Sequence, residues 1–241
     1  MKTSLAKPFR FKQFAIHQDD CSMKVGTDGV LLGAWADVSG TRQALDIGAG
    51  SGVIAIMLTQ RSPELRATGV EIDEPSFHQA VSNMQQSPWS NRLEAVHSAI
   101  QDFSFSAEGK YDLVISNPPF FSGGTFSLNQ DRNSVRHTIK LPHGDLLLSV
   151  QRLLSEDGRF CVILPYIEGL RFVELTATYK LHCTRMTEVL PRPGKPVERL
   201  LLQFERTFSE LRKDTLLIHS GEGDAFSPEY TALTGDFYLN M

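Results

Sequence analysis

The sequence predicts an α/β fold, a mostly parallel seven-stranded sheet with helices on both faces and an antiparallel last strand. Three observations predict it. Residues 44–47 read as a strand running into the turn Gly48-Ala49-Gly50-Ser51-Gly52 and then a helix. Residues 68–73 repeat the strand-then-helix order, and strands alternating with helices require parallel pairing. Residues 181–190 and 197–204 flank the turn Pro191-Arg192-Pro193-Gly194-Lys195-Pro196, which fits a closing antiparallel hairpin.

The remaining elements follow the same alternation. Residues 93–96 form a short strand, 111–115 a buried one ended by Asn117-Pro118-Pro119-Phe120, and 159–165 another. Residues 74–86, 143–154 and 167–180 read as helices. The arm 1–16 alternates Phe9, Phe11 and Phe14 with Arg10 and Lys12, a strand with one apolar and one basic face. Its rings suit the core, while its charges suit either solvent or the phosphates of a single-stranded nucleic acid. Thr27-Asp28, between Gly26 and Gly29, reads as the cap of a short helix over the apolar residues that follow. The tail 227–239 is a short amphipathic segment that packs back on the body.

A chain of 241 residues with 41% hydrophobic and 22% charged residues is an ordinary globular composition. The formal charge of −4 excludes a strongly basic nucleic-acid binder, so a polyanion must meet a local patch. Cys21, Cys161 and Cys183 are too few and too widely spaced for a disulfide framework or a zinc site, so no metal is expected. The first eight residues lack the apolar core of a signal peptide, and no apolar run is long enough to cross a bilayer. A cytoplasmic protein with no membrane partner is expected.

The candidate site lies where strands meet turns. Alternate glycines Gly48, Gly50 and Gly52 let a ligand approach the backbone at a helix N-terminus. Asp46, just before them, would repel a pyrophosphate but accept from an ammonium. A carboxylate roughly 20 residues past such a turn grips a ribose diol, which makes Glu71, with Ile72 beside it, the candidate. Asp73 more simply caps the next helix. A nucleoside carrying a cationic amino-acid tail satisfies this set, and S-adenosylmethionine is such a molecule. Asn117 and the prolines after it present an amide oxygen and a carbonyl to an exocyclic NH2, with Phe120 to stack on its ring. The long stretch 121–140, with Gly123, Gly124, Arg132, Arg136 and His137, suits a substrate-side loop.

With Asp46-Ile-Gly48-Ala-Gly50-Ser-Gly52, Glu71 and Asn117-Pro-Pro-Phe120 in this order, the chain resembles the Rossmann-like class I S-adenosylmethionine-dependent methyltransferases over residues 40–205. Asn-Pro-Pro-aromatic marks their amino-methylating branch. Residues 11–14, 23–35, 86–89 and 230–239 further resemble the bacterial family that methylates adenine N6 beside the anticodon of a valine tRNA. That resemblance implies an arm and cofactor-closing segment over 1–36 and a methyltransferase domain over 37–241, together one compact unit. It implies that Thr27 and Asp28 close over the cofactor. It also implies catalytic roles for Asn117, Pro118, Pro119 and Phe120, and a tRNA anticodon loop as partner of a monomer or homodimer.

The chain departs from the family where an acid commonly meets the cofactor's adenine. It reads Ser98-Ala99-Ile100-Gln101-Asp102, which passes that contact to Asp102 or a backbone amide. Phosphate contacts are expected from Lys12, Arg132, Arg136, His137, Arg192 and Lys195. Guanine-N2 methylation of RNA and glutamine methylation of a protein use the same turn and stay open. So does, in another class, a non-catalytic cofactor- or RNA-binding module.

Overall fold

Strand β3 (Gln43–Ile47) is buried along its last four residues, as a central strand covered on both faces must be. The computed structural model describes residues 7–21, 23–119, 141–221 and 223–241. Phe120, Arg132, Arg136 and His137 lie outside the described residues.

Around β3 the sheet is built from β4 (Arg66–Glu71), β5 (Leu93–His97), β6 (Tyr111–Ser116), β7 (Leu154–Pro165), β8 (His182–Leu190), β9 (Arg199–Glu205) and β10 (Arg212–Leu217). Their order is β10-β8-β9-β7-β6-β3-β4-β5. Every pairing is parallel except those of β9, which runs antiparallel to both β7 and β8. The seven expected strands are therefore present with the antiparallel last one. The expected count falls one short of the eight strands observed among the described residues, because β10 lies on the sheet edge. Its first four residues, Arg-Lys-Asp-Thr, are all exposed and carry no apolar alternation.

The connecting helices are α1 (Thr27–Trp35), α2 (Val53–Arg61), α3 (Glu74–Gln86), α4 (Ile100–Ser106), α5 (His143–Leu153), α6 (Tyr166–Thr176) and α7 (Pro228–Thr234). Alternation along the strands sends side chains into two cores. Ala44, Leu113, Ile115, Cys161 and Ile163 face α1, α2 and the N-terminal arm, while Leu45, Ile47, Val114, Phe160 and Val162 face α5 and α6. Burial pushes the Cys161 thiol up to about 12, as befits a core thiol.

The arm forms a hairpin of β1 (Phe9–Arg10) and β2 (Ala15–Ile16), with Phe11 and Phe14 buried. Phe11 bridges to Tyr238 and stacks on its ring at 6.0 Å between centroids, so arm and tail close on each other. Tyr230 and Phe237 of the tail are buried, as the amphipathic pattern predicts.

Two helix starts differ in what caps them. Asp73 caps α3, accepting the Ser76 amide at 3.1 Å. The cap of α1 is Gly26, without a side-chain bond, and the expected caps Thr27 and Asp28 lie inside the first turn. The carboxylate of Asp28 instead reaches Arg199.

Candidate active site

The register decides the geometry. Ile47 of β3 pairs with Ser116 of β6, so Gly48 and Asn117 leave the sheet side by side at its carboxyl edge. The Ser116 hydroxyl donates to the Ile47 carbonyl at 2.9 Å and ties the two strand ends together. The chain reverses its winding between β3 and β6, the switch point at which open α/β sheets bind ligands.

The glycine turn is held by a device at each side. Gly48, Gly50 and Gly52 adopt φ of 72°, 54° and 79°, where a side chain is strained. A Cβ at Gly48 or Gly50 would point into open space, so glycine there serves the backbone path and ligand approach rather than packing. Beneath, a Cβ on Gly69 of β4 would come within 2.8 Å of the Ala49 Cβ, so Gly69 lets the turn lie on the sheet. Glu71 is buried; it accepts the Gly50 amide at 2.8 Å and the Ile72 and Asp73 amides at 2.9 Å each. Its carboxylate thus ties the turn to the end of β4.

A cleft of about 450 Å³ opens beside this turn. Among the residues expected at the site, Thr27, Asp28, Gly48, Gly50, Asn117 and Pro118 line it. Asp46, Gly52, Glu71, Ile72, Asp102 and Pro119 do not. Asp102 is exposed on the first turn of α4. The far wall was not expected: Val189, Pro191 and Ile218 supply apolar surface, and Glu198 and Arg199 supply charge. Lys24 was also missed. Only a tertiary fold brings the start of β9 to α1, so no local pattern announces Arg199.

Two polar groups here are unsatisfied among the described residues. Asn117 Oδ1 is buried without a hydrogen-bond partner, and both carboxylate oxygens of Asp46 are buried without a well-formed one, only the Ala55 amide facing them. Burial, opposed by the Ala55 amide and helped by the charge of Glu71, raises the Asp46 carboxyl to about 7. Such groups are costly unless a ligand completes them. A buried carboxylate with no cationic partner, two residues before a backbone cradle, fits a cationic amino-acid tail, so the residues present suit S-adenosylmethionine. Among the described residues no group of His, Cys, Asp or Glu could hold a metal ion, and no helix is long and apolar enough to cross a membrane.

The expected phosphate contacts fare differently. Lys12 donates to the Gly235 and Met241 main-chain oxygens at 2.5 and 2.8 Å. Arg192 donates to the Gly221 and Gly223 carbonyls and pairs with Asp224 at 3.2 Å. Lys195 is exposed on the 191–196 turn, next to the cleft wall at Pro191.

Known proteins agree with this architecture. Residues 25–164 match the methyltransferase small domain. The tRNA1(Val) (adenine(37)-N6)-methyltransferase of Yersinia pseudotuberculosis serotype O:3 is 42% identical over 96% of this chain and 92% of its own. Among solved structures, a protein of Agrobacterium tumefaciens described as a predicted O-methyltransferase superposes with a TM-score of 0.64. It is 18% identical and covers 89% of this chain and 100% of its own. An O-methyltransferase of a Brevibacillus brevis polyketide synthase, solved with S-adenosyl-L-homocysteine, superposes at 0.51 with 13% identity, over 73% of this chain and 70% of its own. The fold, the cradle and the near full-length likeness converge: the chain belongs to the tRNA1(Val) (adenine(37)-N6)-methyltransferase family.

Proposed function

We propose that this protein methylates N6 of the adenine at position 37 of tRNA1(Val), the substrate named for its relatives. One observation carries the reading: a buried amide oxygen without a partner, on Asn117, stands beside the glycine cradle at the floor of a shared cleft.

The exocyclic nitrogen of adenine is a poor nucleophile because its lone pair is delocalised into the ring. The Asn117 Oδ1 and the Pro118 carbonyl accept its two hydrogens. That favours a pyramidal nitrogen with its lone pair directed into the cleft. Bound S-adenosylmethionine supplies an electrophilic methyl group, and the Asp46 carboxylate with the Gly48–Gly50 backbone would hold it. Proximity of the two bound partners then accounts for much of the acceleration. The nitrogen loses its spare proton after transfer, so Asn117 need only hold hydrogen bonds and no strong base is required. The adenine must be splayed from its loop, and the apolar far wall of Val189, Pro191 and Ile218 excludes water around it. Lys195, exposed beside that wall, is the described candidate for a phosphate contact.

Incubation with S-adenosylmethionine and an unmodified tRNA1(Val) transcript, followed by nuclease mapping and mass spectrometry, tests the proposal. N6-methyladenine at position 37 is expected. A methylated guanine, or no methylated nucleoside, would overturn it.

A further inference from the structure

Arg199 opens β9 at the cleft, and its Nε donates to Asp28 Oδ2 at 2.9 Å. Its Nη1 donates to the Glu198 carbonyl at 3.1 Å. The paired side chains are only 31% and 22% exposed. They lie 171 residues apart in sequence and reach the cleft from different elements, Asp28 from the first turn of α1 and Arg199 from the sheet end. The next residue, Gly29, places its Cβ position 3.8 Å from Asn117 Nδ2. That first turn has little local support, because its cap is a glycine with no side-chain bond.

We infer that the Asp28–Arg199 pair is a clasp joining the two walls of the cleft, and that Arg199 is a positioning residue for binding of the methyl donor. The clasp fixes the first turn of α1 against β9. It thereby sets the space between Gly29, Asn117 and the glycine cradle. Asp28 offsets the charge of Arg199, which argues against a phosphate of the RNA as its main partner. The assignment rests on S-adenosylmethionine being the ligand of this cleft. It does not depend on which base is methylated.

A double-mutant cycle on the full-length protein tests the clasp, with Arg199→Ala, Asp28→Asn and the two combined. Affinity for S-adenosylhomocysteine is read by calorimetry, affinity for the tRNA by filter binding, and stability by thermal melting. Each single substitution should weaken S-adenosylhomocysteine by about tenfold, the double should cost scarcely more than either, and tRNA affinity should stay within about twofold. Arg199→Lys, which keeps the charge, should recover most of the loss, and Arg199→Gln, which removes the charge but keeps a polar side chain of similar reach, stands in should Arg199→Ala fail to fold. Additive losses, unchanged S-adenosylhomocysteine affinity, or a fall in tRNA affinity instead would overturn the inference. A protein that binds S-adenosylhomocysteine in this pattern yet leaves adenine 37 unmodified would refute the proposed function and not the clasp.

Discussion

The polar groups at the ends of β3 and β6 and the charged residues expected beside them are satisfied in opposite ways. At the site, the Asn117 amide oxygen is buried on the cleft lining without a hydrogen-bond partner among the described residues, and the Asp46 carboxylate is buried at the end of β3, outside that lining, with only the Ala55 amide facing it. Elsewhere, Asp28 on the cleft wall is paired with Arg199, and outside the cleft lining Arg192 grips the 221–224 loop and Lys12 holds the tail through two main-chain oxygens. All of these residues were expected from the sequence to serve the site, apart from Arg199. The difference separates them by the work left for them to do. A polar group that the chain itself satisfies contributes to the fold, whereas a buried one left unsatisfied at a switch point is costly until something completes it, which under the proposed function is the ligand.

Removing an unpaired floor group should therefore damage chemistry and spare the fold. Asn117→Ala should lower kcat by on the order of 10²–10³ fold, the loss typical of one preorganised transition-state contact. Its affinity for S-adenosylhomocysteine should stay within about threefold. Its melting temperature should not fall, because Oδ1 has no intramolecular bond to lose. A large drop in S-adenosylhomocysteine affinity would move Asn117 from the substrate side to the cofactor side.

Asp46→Asn should act through stability as well. Because burial raises this carboxyl from 3.8 to about 7, the native state binds the proton more tightly than the unfolded state does. The contribution of the group to folding is greatest below pH 4 and is lost as pH rises towards about 7. Without cofactor, Asp46→Asn should flatten this part of the stability profile. At pH 8 it should raise Tm by about 2–4 °C for each kcal/mol recovered, while weakening S-adenosylmethionine binding. Thermal melts at pH 5 and pH 8 read the effect, and a lower Tm at pH 8 would show that the carboxylate is satisfied after all.

The smallest effect lies outside the cleft lining. Lys12→Ala should lower Tm by about 2–4 °C through the loosened tail and leave tRNA affinity within about twofold. A fall in the salt slope of tRNA binding by nearly one would instead return Lys12 to the RNA surface.

The legibility of the molecule divides along the same line. Gly48, Gly50, Gly52 and Asn117 are readable because their roles are local: a positive φ, or a proline that ends a strand, is written in adjacent residues. The parallel core strands are readable because apolar runs between turns leave few alternatives. Strand β10 was not, since an exposed edge needs no hydrophobic alternation. The partners of Asp28, Lys12 and Arg192 within the chain were not readable for a common reason. A charge in the sequence carries no mark of the partner it finds, and Arg199, the Gly235 and Met241 oxygens and the 221–224 loop are far away along the chain. Glu71 was read as the candidate to grip a ribose diol, and its three bonds from the backbone amides of the cradle and the end of β4 could not be read from sequence, since they need the folded turn.

The most direct test uses two tRNA1(Val) transcripts that differ only at position 37, one with adenine and one with guanine, each incubated with the protein and methyl-labelled S-adenosylmethionine. Label should enter the adenine transcript alone, as N6-methyladenine at that nucleotide. Label in the guanine transcript, or at a different nucleotide of the adenine one, would contradict an Asn117 floor built around the adenine amine.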